Sequence, residues 1–285
     1  RLLQTGTNRV KGFQIMPKLK LNYNTYHFYG NTDRLNTGFS SDEADEANWL
    51  HIAPEMNLNW SKNDTELSLN ASIKNTNQST TNSELENHET IGALDAYLNH
   101  QIDKNLGAGF DLEGKTGSYN GGLSYDRSLV NLNPYIKYSW DQWQINAGFT
   151  VSADQSAEST RTGFFPNLKA KYGISETWSL KGQVSGGINW NDLNGLFNEN
   201  SFLDDSLLMQ NTVNQFEIGG GIEGKPHDKV QLEASITYSV LDDLPFYVPS
   251  ESNLSRYTIT YDTESVNLLS IRSSLSFFPS SQSMV

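Results

Sequence analysis

Apolar and polar residues alternate with a period of two in eleven or twelve stretches of this chain, and Val230–Val240 is the clearest. Val230, Leu232, Ala234, Ile236, Tyr238 and Val240 fall on one face of that run, and Gln231, Glu233, Ser235, Thr237 and Ser239 on the other. A β-strand sends successive side chains to opposite faces, so period two predicts strands with one apolar and one polar face. The stretches are about ten residues long, and short turns alternate with long polar loops between them, as in strands that cross a bilayer with lipid outside and water inside. The predicted fold class is all-β: a transmembrane antiparallel up-and-down β-barrel, with at least twelve strands here and fourteen or more expected in the intact barrel. Residues 1–285 read as a single outer-membrane β-barrel domain.

Taking every second residue gives the outward sets: 13–23, 50–60, 67–73, 94–98, 106–112, 130–140, 143–151, 164–174, 180–190, 216–222, 230–240 and 269–277. The 180–190 set places Ile188 and Trp190 outward, in register with Gly182 and Gly186. Short turns are expected at 61–64, 102–105, 141–142, 175–177 and 225–228, and long loops at 77–89, 115–122, 153–163, 191–214 and 241–256. Residues 24–48 leave room for a turn and a further short strand. Short connections are expected on the periplasmic side and long ones outside the cell. All six tryptophans lie near strand ends, which predicts an interface girdle of Trp49, Trp60, Trp140, Trp143, Trp178 and Trp190. Pro17, Pro54, Pro134 and Pro166 recur in a shared apolar pattern. Proline donates no ladder hydrogen bond, so these are expected at the outer rim, where strands leave the bilayer.

The alternate residues form the expected lumen-facing set. Its cations are Lys18, Lys20, Lys74, Lys137, Lys169, Lys171, Lys181 and Arg272, and its anions are Glu55, Glu66, Asp95, Asp111, Glu113, Glu217, Glu223 and Glu233. The charges balance, so the formal net charge of −13 is expected in loops such as Asp42–Glu46, Glu84–Glu89, Asp204-Asp205 and Asp242-Asp243. A balanced interior points to ion-pair networks between strands, or to a lumen that holds a plug, more than to a pore selective for one sign of ion.

Only 36% of the residues are hydrophobic, which suits a barrel that needs apolar side chains on one face alone. No apolar run reaches the length of a transmembrane helix. Cysteine is absent, which removes disulfides and thiolate metal sites. The chain begins at Arg1 and ends at Val285 without an aromatic-tipped strand, so it is expected to be a partial chain of a longer polypeptide or one whose ends are not represented. No phosphate-binding glycine loop, paired metal histidines or nucleophile elbow occurs. His100 beside a Ser or Asp is the one catalytic arrangement that can be constructed, and a solvated turn histidine is the simpler reading. The acidic run Asp42–Glu46 lacks the glycine and spacing of an EF-hand. An acidic chain with no basic stripe argues against nucleic acid. No catalytic, cofactor or metal residues are assigned, and no cofactor is expected.

The stretch Phe164–Phe278 resembles the Bacteroidota outer-membrane proteins of the TonB-dependent receptor-like family, in their barrel part. The resemblance lies in Phe164-Phe165-Pro166-x-Leu168, Gly186-Gly187-Ile188, the loop 191–214 and Arg256-Tyr257-Thr258-Ile259-Thr260-Tyr261-Asp262. It implies the outer membrane of a Gram-negative bacterium and a pore or receptor-like channel for a solute. The alternative is a structural or assembly subunit of an outer-membrane complex. Expected partners are outer-membrane lipid and lipopolysaccharide, with other outer-membrane proteins or lipoproteins. An enzyme and a soluble β-sandwich are the remaining, weaker alternatives.

Overall fold

The computed structural model describes residues 2–4, 8–10, 13–28, 45–80, 86–156, 159–204, 206–251, 256–262 and 264–278. Two short strands, β1 (Leu2–Gln4) and β2 (Asn8–Val10), lie along one edge of β3 (Phe13–Phe28). Then come β4 (Asp45–Lys62), β5 (Thr65–Thr80), β6 (Asn87–Gln101), β7 (Leu106–Asn120), β8 (Ser124–Trp140) and β9 (Trp143–Gln155). They are followed by β10 (Thr160–Gly173), β11 (Trp178–Asn189), a short helix α1 (Leu193–Glu199), β12 (Thr212–His227) and β13 (Val230–Asp242). A separate hairpin, β14 (Pro245–Pro249) with β15 (Tyr257–Tyr261), precedes β16 (Val266–Phe277). From β3 to β13 each long strand pairs antiparallel with its neighbour in sequence, and β13 pairs with β16. This is the up-and-down barrel sheet that the alternation predicts, with twelve long strands among the described residues.

The short turns fall where expected, and Asn63 and Asp141 take φ of 52° and 53° there. Asn and Asp tolerate this left-handed region because their side chains bond the local backbone. The outward parity also holds. Leu21, Met56, Ile73, Leu94, Ile136, Phe164, Ile218, Ile236 and Ile271 are all exposed large hydrophobics. Trp140 and Trp143 stand outward beside the Asp141-Gln142 turn, and Trp143 packs on Tyr172 at 4.7 Å. Trp60 stacks on Phe13, and Trp178 lies over Gly224.

Three expectations are corrected. The ladders continue through 77–80, 87–89, 115–120 and 153–155, so most of those "long loops" are strand; β7 and β8 are separated by residues 121–123 alone. Outside an apolar band the outer face needs no apolar residues, so the period-two signal stops where the backbone pairing does not. The prolines sit within ladders, not at a rim: Pro17 opposes Met56, Pro54 opposes Leu19, and Pro166 opposes Phe149. In the β4–β5 ladder the pairing lapses at Ala53 and Pro54 and resumes in the same register at Glu55–Ser72. A missing donor thus interrupts the ladder without displacing it. Finally, β11 leaves β10 after Val184 and its register with β12 shifts between Ser185 and Gly187. Such an irregularity re-aims side chains, and Ile188 and Trp190 turn to the inner side. Of the segment 24–48, expected to hold a turn and a further short strand, residues 24–28 continue β3 and 45–48 open β4; the rest of it, with Asp42 to Ala44, lies outside the described residues.

Candidate functional site

The polarity of the wall inverts along its length. In the apolar band, apolar side chains face out and charged ones face in. Beyond it, at the long-loop end, the outward positions of β5 and β7 become Asn75, Asn77, Ser79, Thr116, Ser118 and Asn120. There the inner face is the most buried part of the molecule, with Trp49, Ile91, Tyr119, Leu129, Phe165 and Ile188 each at most 5% exposed.

What buries them is the β11–β12 connection, expected to be a polar loop. Asp192 accepts a hydrogen bond from the Gly195 amide at 2.7 Å and so caps α1. Leu193, Leu196 and Phe197 follow at the i, i+3, i+4 spacing of one helix face. With Leu203, Leu207 and Met209 they pack against Trp49 of β4, Tyr119 of β7 and Ile259 of β15. A second cluster joins Leu129, Phe165, Ile188 and Val213, with Trp190 against it. The connection and the β14–β15 hairpin thus form a cap across the inner face, from β11 and β12 to β3–β9.

Polar contacts fasten the cap. Arg127 of β8 and Glu89 of β6 form an ion pair at 2.5 Å, both 1% exposed. The second Glu89 oxygen accepts the Leu193 amide at 2.7 Å, and the Arg127 guanidinium lies 4.1 Å over the Trp190 ring. Asn211 of the cap donates to Asp154 of β9 at 2.7 Å. The Met209 amide donates to the Tyr125 hydroxyl at 2.8 Å and the Gln210 amide to the Tyr261 hydroxyl at 2.8 Å. Burial pushes the Glu89 carboxyl up, against the pull of Arg127 and the Leu193 amide. Burial likewise raises Asp154, and pushes the Tyr125 and Tyr261 hydroxyls up to about 12.

Below the cap, the structure brings many of the charged candidates together. Lys20 pairs with Glu55 at 2.6 Å. Lys171 and Lys181 both pair with Glu223, and Lys181 also reaches Glu233 at 3.3 Å. Glu217 accepts from Gln183, Ser185 and Ser239. Asn133 donates to Asp111, and Asn131 donates to Glu113, which also pairs with Lys115. Lys74 reaches up to Asp192 of the cap at 3.5 Å. Lys137 donates to the Tyr97 hydroxyl at 2.9 Å and sits 5.0 Å over the Tyr135 ring. Lys18, Glu66, Asp95, Lys169 and Arg272 make no ion pair within 4 Å among the described residues. An inner cavity of about 370 Å³ is lined by Asn70, Asp95, Asp111, Glu113, Asn131 and Asn133, with Gly186 to Asn189 of β11 on its far side.

Tyr135 is held by glycines on both neighbouring strands, since it opposes Gly109 of β7 and Gly148 of β9. A Cβ on Gly109 would lie 2.6 Å from the Tyr135 hydroxyl oxygen. Gly109→Ala is therefore expected to cost about 1–3 kcal/mol, as overpacking does. The check is the urea midpoint of the refolded barrel, which the change should lower while Gly182→Ala, with nothing within 4 Å, leaves it in place.

Trp49 and Trp190 do not belong to an outer girdle: Trp49 lies at inward parity beneath the cap, and Trp190 is turned in by the β11 irregularity. His51 bonds Thr76 at 2.9 Å, and His100 bonds Thr65 at 2.9 Å across the β5–β6 ladder. No group of metal-competent side chains occurs among the described residues. The sequence reasoning missed the cap residues. Their signal was available, in apolar residues at inward parity near the loop ends of strands and in the spacing of Leu193, Leu196 and Phe197.

No family model matches the chain, and no curated protein does. Among solved structures it is similar to the FrpB iron transporter of Neisseria meningitidis, with a TM-score of 0.66 at 8% identity over 94% of this chain and 48% of that one. It is similar also to the siderophore receptor PirA of Pseudomonas aeruginosa, with 0.65 at 8% identity over 93% and 51% of the two chains. The outer membrane transporter YddB of Escherichia coli gives 0.63 at 11% identity over 93% and 43%. All three are transporters or receptors in outer-membrane barrel form. The chain spans about half their length, and at these identities the likeness speaks for the fold.

Proposed function

We propose that this chain is barrel wall of an outer-membrane protein of the TonB-dependent receptor-like kind in a Gram-negative bacterium of the Bacteroidota, and that the barrel passes a solute across the outer membrane. The observation that carries this reading is the inner face. Through the whole apolar band it presents charged and amide side chains, which a barrel packed solid with its own apolar residues would not need. The sixteen lumen-facing candidates then line the route or the surface of whatever fills it, and Trp60, Trp140, Trp143 and Trp178 mark the interface near the short turns. The outer leaflet and its lipopolysaccharide surround the long-loop end.

The test is solute entry into proteoliposomes carrying the full-length protein, measured by swelling and by uptake of a ferric siderophore. Entry above that of empty liposomes is expected. A sealed barrel would sink the reading and leave the second one, a structural or assembly subunit, which the broad coverage of one mouth by the cap favours.

A further inference from the structure

Two segments that leave the wall at different strands are built into one body. The Tyr257 amide donates to the Phe202 carbonyl at 2.7 Å, the Asp204 amide to the Tyr257 carbonyl at 2.8 Å, and Leu203 bridges Tyr257 in parallel. The body is then fixed to each wall strand from β4 to β9: β4 through Trp49, β5 through Lys74, β6 through Glu89, β7 through Tyr119, β8 through Tyr125 and Arg127, and β9 through Asp154. Swinging it away would uncover the buried Glu89–Arg127 ion pair with no compensating partner, free the Leu193 and Met209 amides, and expose Leu193, Leu196, Phe197, Leu203, Leu207 and Met209 together. A moving gate needs two states close in free energy, and this set of simultaneous losses sets them far apart. Among the described residues, neither β13 nor β16 gives a side chain to either apolar cluster.

We propose that the cap is a permanent part of the wall: it keeps the β4–β9 side of the mouth closed throughout passage and confines the solute to the side of β13 and β16. The route part of this inference rests on the transport reading; the fixity of the cap stands on its own. The chain has no cysteine, so Asp154→Cys with Asn211→Cys in the full-length protein supplies the only pair of thiols in this part of it, at side chains already in contact. Solute entry is compared between the oxidised and reduced forms of that one variant. Entry within about twofold in the two forms is expected; a tenfold loss on oxidation, restored by reduction, overturns the proposal. Amide hydrogen exchange of the unaltered protein reads the same point without transport. Slow exchange at Leu193 and Met209, matching the β6 and β7 ladders, is expected, and exchange at the rate of a free loop overturns it. If no form admits solute, the transport reading fails, and the exchange result alone decides whether the cap is fixed.

Discussion

Arg127→Ala should detach the cap while leaving the barrel standing. Removing one partner of a buried ion pair costs about 3–5 kcal/mol, because the other charge is left uncompensated. Here the stranded group is Glu89, 1% exposed, whose second oxygen also holds the Leu193 amide at the start of α1. The loss therefore passes straight into the cap, and Trp190 loses the guanidinium that covers its ring. In limited proteolysis of the folded protein, cleavage within 193–211 should appear in the variant and be absent from the parent. The barrel should keep its heat-sensitive mobility in detergent gels, since the ladders below are untouched. Glu89→Gln combined with Arg127→Met should recover much of the protection, because no buried charge is then stranded and the glutamine oxygen can still accept the Leu193 amide. Cleavage in the double variant equal to that in Arg127→Ala would refute the role given to the pair.

Ile236→Arg should destabilise the barrel by about 2–4 kcal/mol, the cost of a cation on the lipid face near mid-bilayer. Ile236 lies seven residues into β13 with Ile271 beside it on β16, and both are outward and exposed. Its neighbour Thr237 points to the inner wall near Lys181, Glu233 and Arg272. Thr237→Arg should shift the urea midpoint by much less, because its long side chain remains in water. The comparison is made in liposomes, where hydrocarbon bears on the outer face. Equal effects at 236 and 237 would mean that the two faces do not differ in environment, and the membrane reading of the alternation would fall with them.

The lower half of the wall was legible because lipid imposes one requirement on every strand. Leu132, Pro134, Ile136 and Tyr138 must be apolar whatever the protein does, and their spacing carries strand, face and register at once. The upper half escaped because two different environments share it. Ser118 and Asn120 face water on the outside, while Tyr119 and Trp49 face a packed interior, so neither hydropathy nor a single parity rule marks the change. The charged inner residues were placed by parity, but their pairing was not. Lys171, Lys181, Glu223 and Glu233 meet through the stagger of β10 to β13, a property of register between strands that no single strand displays. Trp190 departs from its expected face for a related reason. One register shift beside Gly187 reverses the faces of everything after it, and the shift is made jointly by β11 and β12.

The extension of the ladders beyond the apolar band bears on how the molecule reaches its place. The long-loop tips of strands β5, β6, β7 and β8 carry Asn, Thr, Ser and the Glu89–Arg127 charges at the end farthest from the short turns. A barrel that enters from the side of those turns has to carry these tips through hydrocarbon before their partners in the cap are assembled. Unsatisfied polar groups in lipid cost several kcal/mol each. The barrier to insertion is therefore set by the overhang, which never touches lipid in the finished structure. The membrane's grip on the chain and the membrane's resistance to it reside in opposite halves of the same strands.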